Sequence, residues 1–421
     1  MKQQAKAKRK SGGFDPLRER GIPIEKQLLS WSKLNSKPYN KQEVHPYTRV
    51  RGIFMNGIET EAAIFGHQFA RHTEDLDLKR KLALVRRTEQ QQQKAINWLI
   101  PGNESTIEVT IGYEQVAVDL TSNLARNTPD PYVKAALDFA LLEDFDHLYR
   151  YANLLDLTQR KKAESITGKY TEIMPGRPTI VEHRHPFDDV RRHYDGTSAD
   201  PLVKMQILAI TAAEQQTMNF YMNVGNRLED MVGRGLYLEI AQIEEQHVTH
   251  YESLMDPNAS WFEMLALHEY TECWLYYSML EQEVDAQARK VWQRHLDMEI
   301  EHLKIACDLL RSRGDIEPEA ILPKSMPETL IVFESNVDYV REVLATQFDC
   351  NAFETEFLPR KEMPKNPRYG LYQRAVNAGG VPSEQVIESH IAKKRQDYRQ
   401  EIAGPHPIEK MRNRRGYASA A

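Results

Sequence analysis

Cysteine is scarce in this chain. Only Cys273, Cys307 and Cys350 occur among 421 residues, and no C-x-x-C pair exists. This excludes a zinc ribbon, rubredoxin-type iron and a thioredoxin-like redox motif, and it fits a reducing, cytoplasmic setting. Long apolar runs are also missing. No window of about 18 apolar residues is present, so no membrane-spanning helix and no membrane partner are expected. The stretch from Met1 to Lys10 is rich in Lys, Gln and Arg and lacks the apolar segment of a secretory signal, so it reads as a free tail. Lys plus Arg number 55 against 61 Asp plus Glu, a formal charge of −6, and nothing in that balance calls for nucleic acid. Walker loops, dinucleotide glycine fingerprints and nucleophile elbows are absent as well. With 41% apolar and 28% charged residues, the composition is that of a globular chain long enough for two or three domains.

What the chain does contain is a repeat. An offset of 155 residues places Glu59 on Glu214, Glu89 on Glu244, Glu114 on Glu269 and Asp144 on Glu299. It also sets Asn103 and Ser105 on Asn258 and Ser260, each Ser followed three residues later by an acid, Glu108 or Glu263, as in a capping box. His147 falls on His302 and Leu154-Leu155 on Leu309-Leu310; Met174-Pro175 is echoed by Met326-Pro327 at a slightly shorter offset. A unit of about 150 residues has been duplicated.

Both units read as helical, rich in Ala, Leu, Glu, Gln and Met. Helices are expected near 52–72, 76–99, 105–126 and 131–156, and again near 200–224, 231–255, 260–284 and 286–312. The predicted fold is all-α: two tandem four-helix bundles, at 46–160 and 200–345. A tail precedes them at 1–45, a proline-marked linker covers 161–199, and a polar C-terminal tail spans 346–421, with one helix from Ser383 to about Ile402. That tail either wraps a bundle, reaches a partner subunit of a homo-oligomer, or stays unfolded.

The second unit carries the chemistry. It reads Glu214, then Glu244 with His247, then Glu269, then Glu299 with His302. Each Glu-x-x-His sets a carboxylate and an imidazole on one helix face. In both halves the lone Glu precedes the pair by 30 residues, so two antiparallel hairpins can hold all six groups at one height. One Glu-x-x-His is expected about once by composition, as a solvated face; two at matched spacing, among Ile243, Val248, Leu265 and Leu296, point to a buried metal site. Hard carboxylate oxygens with two imidazoles suit iron or manganese. The first unit offers Glu59, Glu89, Gln92, Glu114, Asp144 and His147, with Gln for one His and Asp for one Glu, and is expected to be a degenerate copy kept for packing. The residues between His247 and Glu269 form a direct hairpin, so the helix order is either up-down-up-down or an exchange of helix pairs between repeats.

At these residues, over roughly 50–313, the chain resembles the ferritin-like di-iron carboxylate superfamily, which includes rubrerythrins and ribonucleotide reductase small subunits. The resemblance implies two Fe ions, with Mn as the alternative, held by Glu214, Glu244, His247, Glu269, Glu299 and His302. It further implies an oxidoreductase that activates dioxygen or peroxide on an unidentified small-molecule substrate, with an electron donor in trans. Rubrerythrins carry an extra carboxylate at the position of Glu272, three residues after Glu269, which opens the alternative of a peroxidase or ferroxidase. A metal-stapled, non-catalytic helical scaffold is a third reading. Tyr221 and Tyr251, at i+7 from Glu214 and i+4 from His247, are candidate catalytic residues as hydrogen-bond donors or redox partners, although core tyrosine is the commoner role. Cys273 and Cys307 read as core residues. His183, Arg184 and His185 read as a solvated loop, and Arg412, Arg414 and Arg415 as a basic tail.

Overall fold

The computed structural model describes residues 13–412, and among these the chain is almost entirely helical. Eight long helices carry the repeat: α1 Pro46–Arg71, α2 Leu76–Asn97, α3 Thr106–Asn127, α4 Pro131–Gln159, α5 Pro201–Val224, α6 Met231–Glu252, α7 Trp261–Gln282 and α8 Ala286–Leu309. Their starts follow local rules. Both expected capping boxes are formed, Ser105 with Glu108 and Ser260 with Glu263. Pro46, Pro131 and Pro201 occupy first-turn positions after His45, Asp130 and Asp200, whose side chains accept backbone N–H bonds. That cap begins α1 at 46 rather than 52. No described helix is long and apolar enough to cross a membrane.

Consecutive helices pair as hairpins, α1 with α2, α3 with α4, α5 with α6 and α7 with α8. The hairpins do not then assemble in chain order. α3 and α4 meet α5 and α6, whereas α1 and α2 meet α7 and α8. The tandem arrangement, one bundle per repeat, is replaced by exchange: each four-helix group takes one hairpin from each copy. The helices with lone glutamates, α1, α3, α5 and α7, form the seam between groups, with α1 against both α3 and α5. Two glycines permit the approach. A Cβ on Gly57 would lie 2.9 Å from the Gln216 amide nitrogen, and one on Gly112 would lie 2.8 Å from Ile53. Gln216 holds the seam by donating to the Ile53 carbonyl at 3.0 Å and accepting from Asn56.

The flanks are ordered parts of the same body. From residue 13 the N-terminal segment lies on α7 and α8: Phe14 stacks on Tyr277 at 4.5 Å, and Ile22 N–H donates to the Asp297 carbonyl at 2.7 Å. The supposed linker is largely buried from Thr171 to Arg184. Gly176 lets it lie on α4, with its N–H on Asp146 at 2.9 Å and that of Arg177 on the Leu142 carbonyl at 2.8 Å; a Cβ there would collide with that carbonyl. Beyond α9 (Val337–Gln347), a hairpin pairs β1 (Cys350–Phe353) with β2 (Glu356–Pro359), and α10 (Pro367–Val376) and α11 (Pro382–Lys394) follow. α11 seals α4 and α6, and Tyr398 and Met411 are buried, so the described tail wraps the helices. Arg414 and Arg415 lie outside the described residues.

Candidate metal centres

Exchange of hairpins sorts the acidic and imidazole side chains into two clusters, each fed by four helices. The first contains Glu114 of α3, Asp144 and His147 of α4, Glu214 of α5, and Glu244 and His247 of α6. Potential ligand atoms of Asp144, Glu214, Glu244 and His247 lie within 4.8 Å of one another, as do those of Glu114, His147 and Glu244. Glu244 belongs to both groups and stands between them. The second cluster contains Glu59 of α1, Glu89 and Gln92 of α2, Glu269 and Glu272 of α7, and Glu299 and His302 of α8. Here Glu89, Glu269 and His302 converge within the same limit, as do Glu59, Glu272 and Glu299.

The six residues of the later copy therefore do not meet at one centre. Glu214, Glu244 and His247 join Glu114, Asp144 and His147 of the earlier copy, while Glu269, Glu299 and His302 join Glu59, Glu89 and Gln92. Both clusters are composite, and the earlier copy is not a packing scaffold alone. The more complete set, two lone glutamates and two acid-x-x-His pairs, is the one built on Asp144.

In the first cluster every one of the six residues is at most 1% exposed. His147 presents Nδ1 to Glu244 at 3.1 Å and Nε2 to Glu182 at 3.0 Å. His247 turns Nδ1 toward Asp144, Glu244 and Glu214, at 3.1, 3.5 and 3.7 Å, and Nε2 toward Glu143 at 3.0 Å. Each imidazole thus aims one nitrogen inward and anchors the other on an outer carboxylate, an arrangement that fixes ring orientation in metal sites. Glu143 is itself clamped by Arg184 and Arg177, at 2.6 and 3.2 Å. Glu182, Arg177 and Arg184 all come from the segment read as a linker, so Arg184 is not solvated; His183 likewise pairs with Glu239 at 2.8 Å. Sequence reasoning missed Glu143 and Glu182. Glu143 directly precedes Asp144 and so faces another way in a helical projection, and Glu182 follows the repeat's faint Met-Pro echo, the one available signal.

The electrostatics of this cluster are unbalanced. Burial, aided by neighbouring carboxylates, drives Glu114 and Glu214 well above the usual carboxylate range. Burial opposes ionisation of Glu244 too, yet the imidazoles of His147 and His247 beside it hold it at about 2. Burial likewise disfavours imidazolium, but Glu182 and Glu244 raise His147, and Asp144 and Glu143 raise His247, well above the ordinary value. Both oxygens of Asp144 and of Glu214 and one each of Glu114 and Glu244 are buried without a hydrogen bond, and His247 Nδ1 meets Asp144, Glu244 and Glu214 only as ion pairs at 3.1, 3.5 and 3.7 Å. Orphaned buried polar atoms are costly, and here they all point inward. A cation would satisfy them together, so the donor set fits a metal.

The second cluster is richer in carboxylate. His302 offers Nδ1 to Glu299 at 2.9 Å, with Glu269 and Glu89 at 3.9 and 4.0 Å. Its Nε2 donates to Gln27 Oε1 at 2.7 Å. Gln92, in the place of a histidine, donates to Glu299. Tyr276 donates to Glu59, and His268 bridges Glu61 to Glu272, 3.1 Å from the latter. Burial raises Glu59, Glu269 and Glu272 well above the usual range and Glu89 to about 7. Glu272 thus faces the second cluster. Tyr221 belongs to the first, donating to Glu114 at 2.5 Å. The Tyr251 hydroxyl is buried and makes no hydrogen bond to a described residue; Glu214 and Asp144 lie close enough to disfavour its ionisation further.

No family model, curated protein or solved structure matches this chain. The functional reading accordingly rests on the side chains.

Access to the two clusters differs. Tyr221, whose hydroxyl donates to Glu114, also lines a cavity of about 330 Å³ shared with Met222, Tyr237 and Leu238. Beside Glu269 and His302 the void is only about 10 Å³.

Proposed function

We propose that this protein is a non-haem dinuclear metal oxidoreductase, with its principal centre at Glu114, Asp144, His147, Glu214, Glu244 and His247. Iron is the preferred metal and manganese the alternative, because carboxylate oxygens with two imidazoles suit both. The observation that carries this reading is the convergence of six buried ligand-type side chains, among which Glu114, Asp144, Glu214 and Glu244 keep buried carboxylate oxygens without a hydrogen bond. A bound pair of redox-active ions would supply two electrons to dioxygen or peroxide. The chain's own contribution is positional. Glu182 and Glu143 hold the imidazole Nε2 atoms, leaving Nδ1 for the metal; Tyr221 fixes Glu114; the packed helices exclude water.

The cavity at Tyr221 supports an organic small-molecule substrate, as in an oxygenase or oxidase, with electrons delivered by a donor in trans. A rubrerythrin-like peroxidase or ferroxidase is the second reading, favoured by Glu272 at the second cluster. The scaffold alternative requires the metals to be inert. Elemental analysis and oxygen consumption by the chemically reduced protein test the proposal. At least two ions per chain are expected, with His147→Ala and His247→Ala each losing metal from the first cluster and oxygen uptake falling with it. A metal-free chain, or metal retained in both variants, would overturn it.

A further inference from the structure

The second cluster has a neighbour of a different character. Next to it, on the side away from the 10 Å³ void, lies a pocket of about 260 Å³ between the N-terminal segment, α2 and α8. That volume lies just below the roughly 300 Å³ at which small-molecule sites usually begin, which restricts it to a small ligand. Its buried lining includes Gln27, Gln92, Leu34, Leu99 and Met298. The two amides are the same ones that contact His302 and Glu299, so a molecule at the inner end of the pocket would be separated from the second cluster by one side chain. The charged lining residues are Lys33, Lys290 and Arg294, and no described lining residue is acidic. Lys33 and Lys290 are exposed, whereas Arg294 is half-buried and donates to the Gln27 backbone carbonyl at 3.0 Å. The pocket is therefore cationic at its mouth, with apolar walls from Leu34, Leu99 and Met298 and the two amides at its inner end. A protein of net charge −6 that assembles three cations and no acid around one small cavity has placed them against the global field.

We propose that this pocket binds a small amphipathic organic anion, a carboxylate with an apolar body, its head at Lys33, Lys290 and Arg294 and its body on Leu34, Leu99 and Met298. The far, apolar end then faces Gln27 and Gln92. Recognition divides as the lining does: cations choose the sign of the head, and apolar walls choose the body. Whether the bound anion is a substrate rests on the metal reading above; its binding does not.

Octanoate serves as the probe, titrated calorimetrically into the full chain, with octylamine as the charge-reversed control. Octanoate is expected to bind and octylamine not to. The Lys33→Ala/Lys290→Ala double variant should weaken octanoate at least tenfold, and Ala95→Trp, which fills the pocket from α2, should abolish binding. Metal content is measured on the same samples and should be unchanged in all variants. Octanoate binding by a chain that holds no metal would support the pocket while removing the oxidoreductase reading. Equal affinity for octanoate and octylamine, or octanoate affinity unaffected by either variant, would overturn the proposal.

Discussion

Glu182→Gln is the sharpest probe of how the first cluster is built. Glu182 is fully buried, comes from outside the eight-helix core, and accepts from His147 Nε2 at 3.0 Å. Glutamine preserves its volume and an acceptor oxygen and removes only the charge. Charge-assisted hydrogen bonds contribute about 1.5 to 3 kcal/mol, and loss of an outer carboxylate behind a metal-bound histidine weakens metal affinity roughly 10- to 100-fold, or about 1.4 to 2.7 kcal/mol. The two ranges agree. The assay is anaerobic competition for Fe(II) or Mn(II) between protein and a chelator, with urea unfolding to show that the fold survives. Glu245→Gln is the control, because Glu245 lies one residue from Glu244 but is exposed. Unchanged affinity in Glu182→Gln, or an equal loss in Glu245→Gln, would refute the claim that the imidazoles are held from behind to serve a metal.

Without metal, stability should fall as pH rises through neutrality. Glu89 and Glu182, both buried, sit at about 7 when folded, against about 4.3 unfolded. The unfolded chain releases those protons first, so each group taken alone costs on the order of 3 kcal/mol between about pH 4.5 and 7. His147 and His247, raised when folded, add stability that is complete below about 6.5 and lost at higher pH. Glu244 acts oppositely, its contribution vanishing only as pH falls toward 2. The urea midpoint of metal-free protein should therefore be higher near pH 5 than near pH 7.5, and the reverse order would contradict the burial of these carboxylates. Metal affinity should instead rise with pH, because binding displaces protons. Gln92→His completes the second acid-x-x-His pair of the second cluster, and elemental analysis should show tighter retention there. Gly176→Ala should cost about 2 to 3 kcal/mol in urea unfolding, since its Cβ would meet the Leu142 carbonyl and the Asp146 backbone. Tyr221→Phe should leave metal content intact while changing the pH dependence of oxygen uptake, because it frees the Glu114 oxygen that Tyr221 now holds.

Much of the architecture was legible before any tertiary contact was known. Capping boxes at Ser105 and Ser260, prolines at helix starts and apolar periodicity set the eight helices within a few residues, except that His45-Pro46 began α1 earlier than its periodicity suggested. Local interactions decide such boundaries, so local sequence reports them. The twelve principal cluster residues were legible too, since a carboxylate on an apolar helix face is too costly to be incidental. Glu143, Glu182 and Gln27 were not. Their roles depend on where a neighbouring helix, a connecting segment and the N-terminal segment come to lie, and nothing adjacent to them in sequence encodes that.

The sequence by itself determined that each hairpin would present a lone acid and, 30 residues later, an acid-x-x-His or its Gln92 counterpart. Every hairpin satisfies that rule, and any two of them could complete a site. Which two meet is a question of packing: α3 and α4 lie against α5 and α6, and α1 and α2 against α7 and α8, while Gly57, Gly112 and Gln216 serve the seam that joins the two groups. Only that tertiary choice gave His147 to Glu244 and His302 to Glu89, and so turned one intact and one impaired repeat into two composite centres.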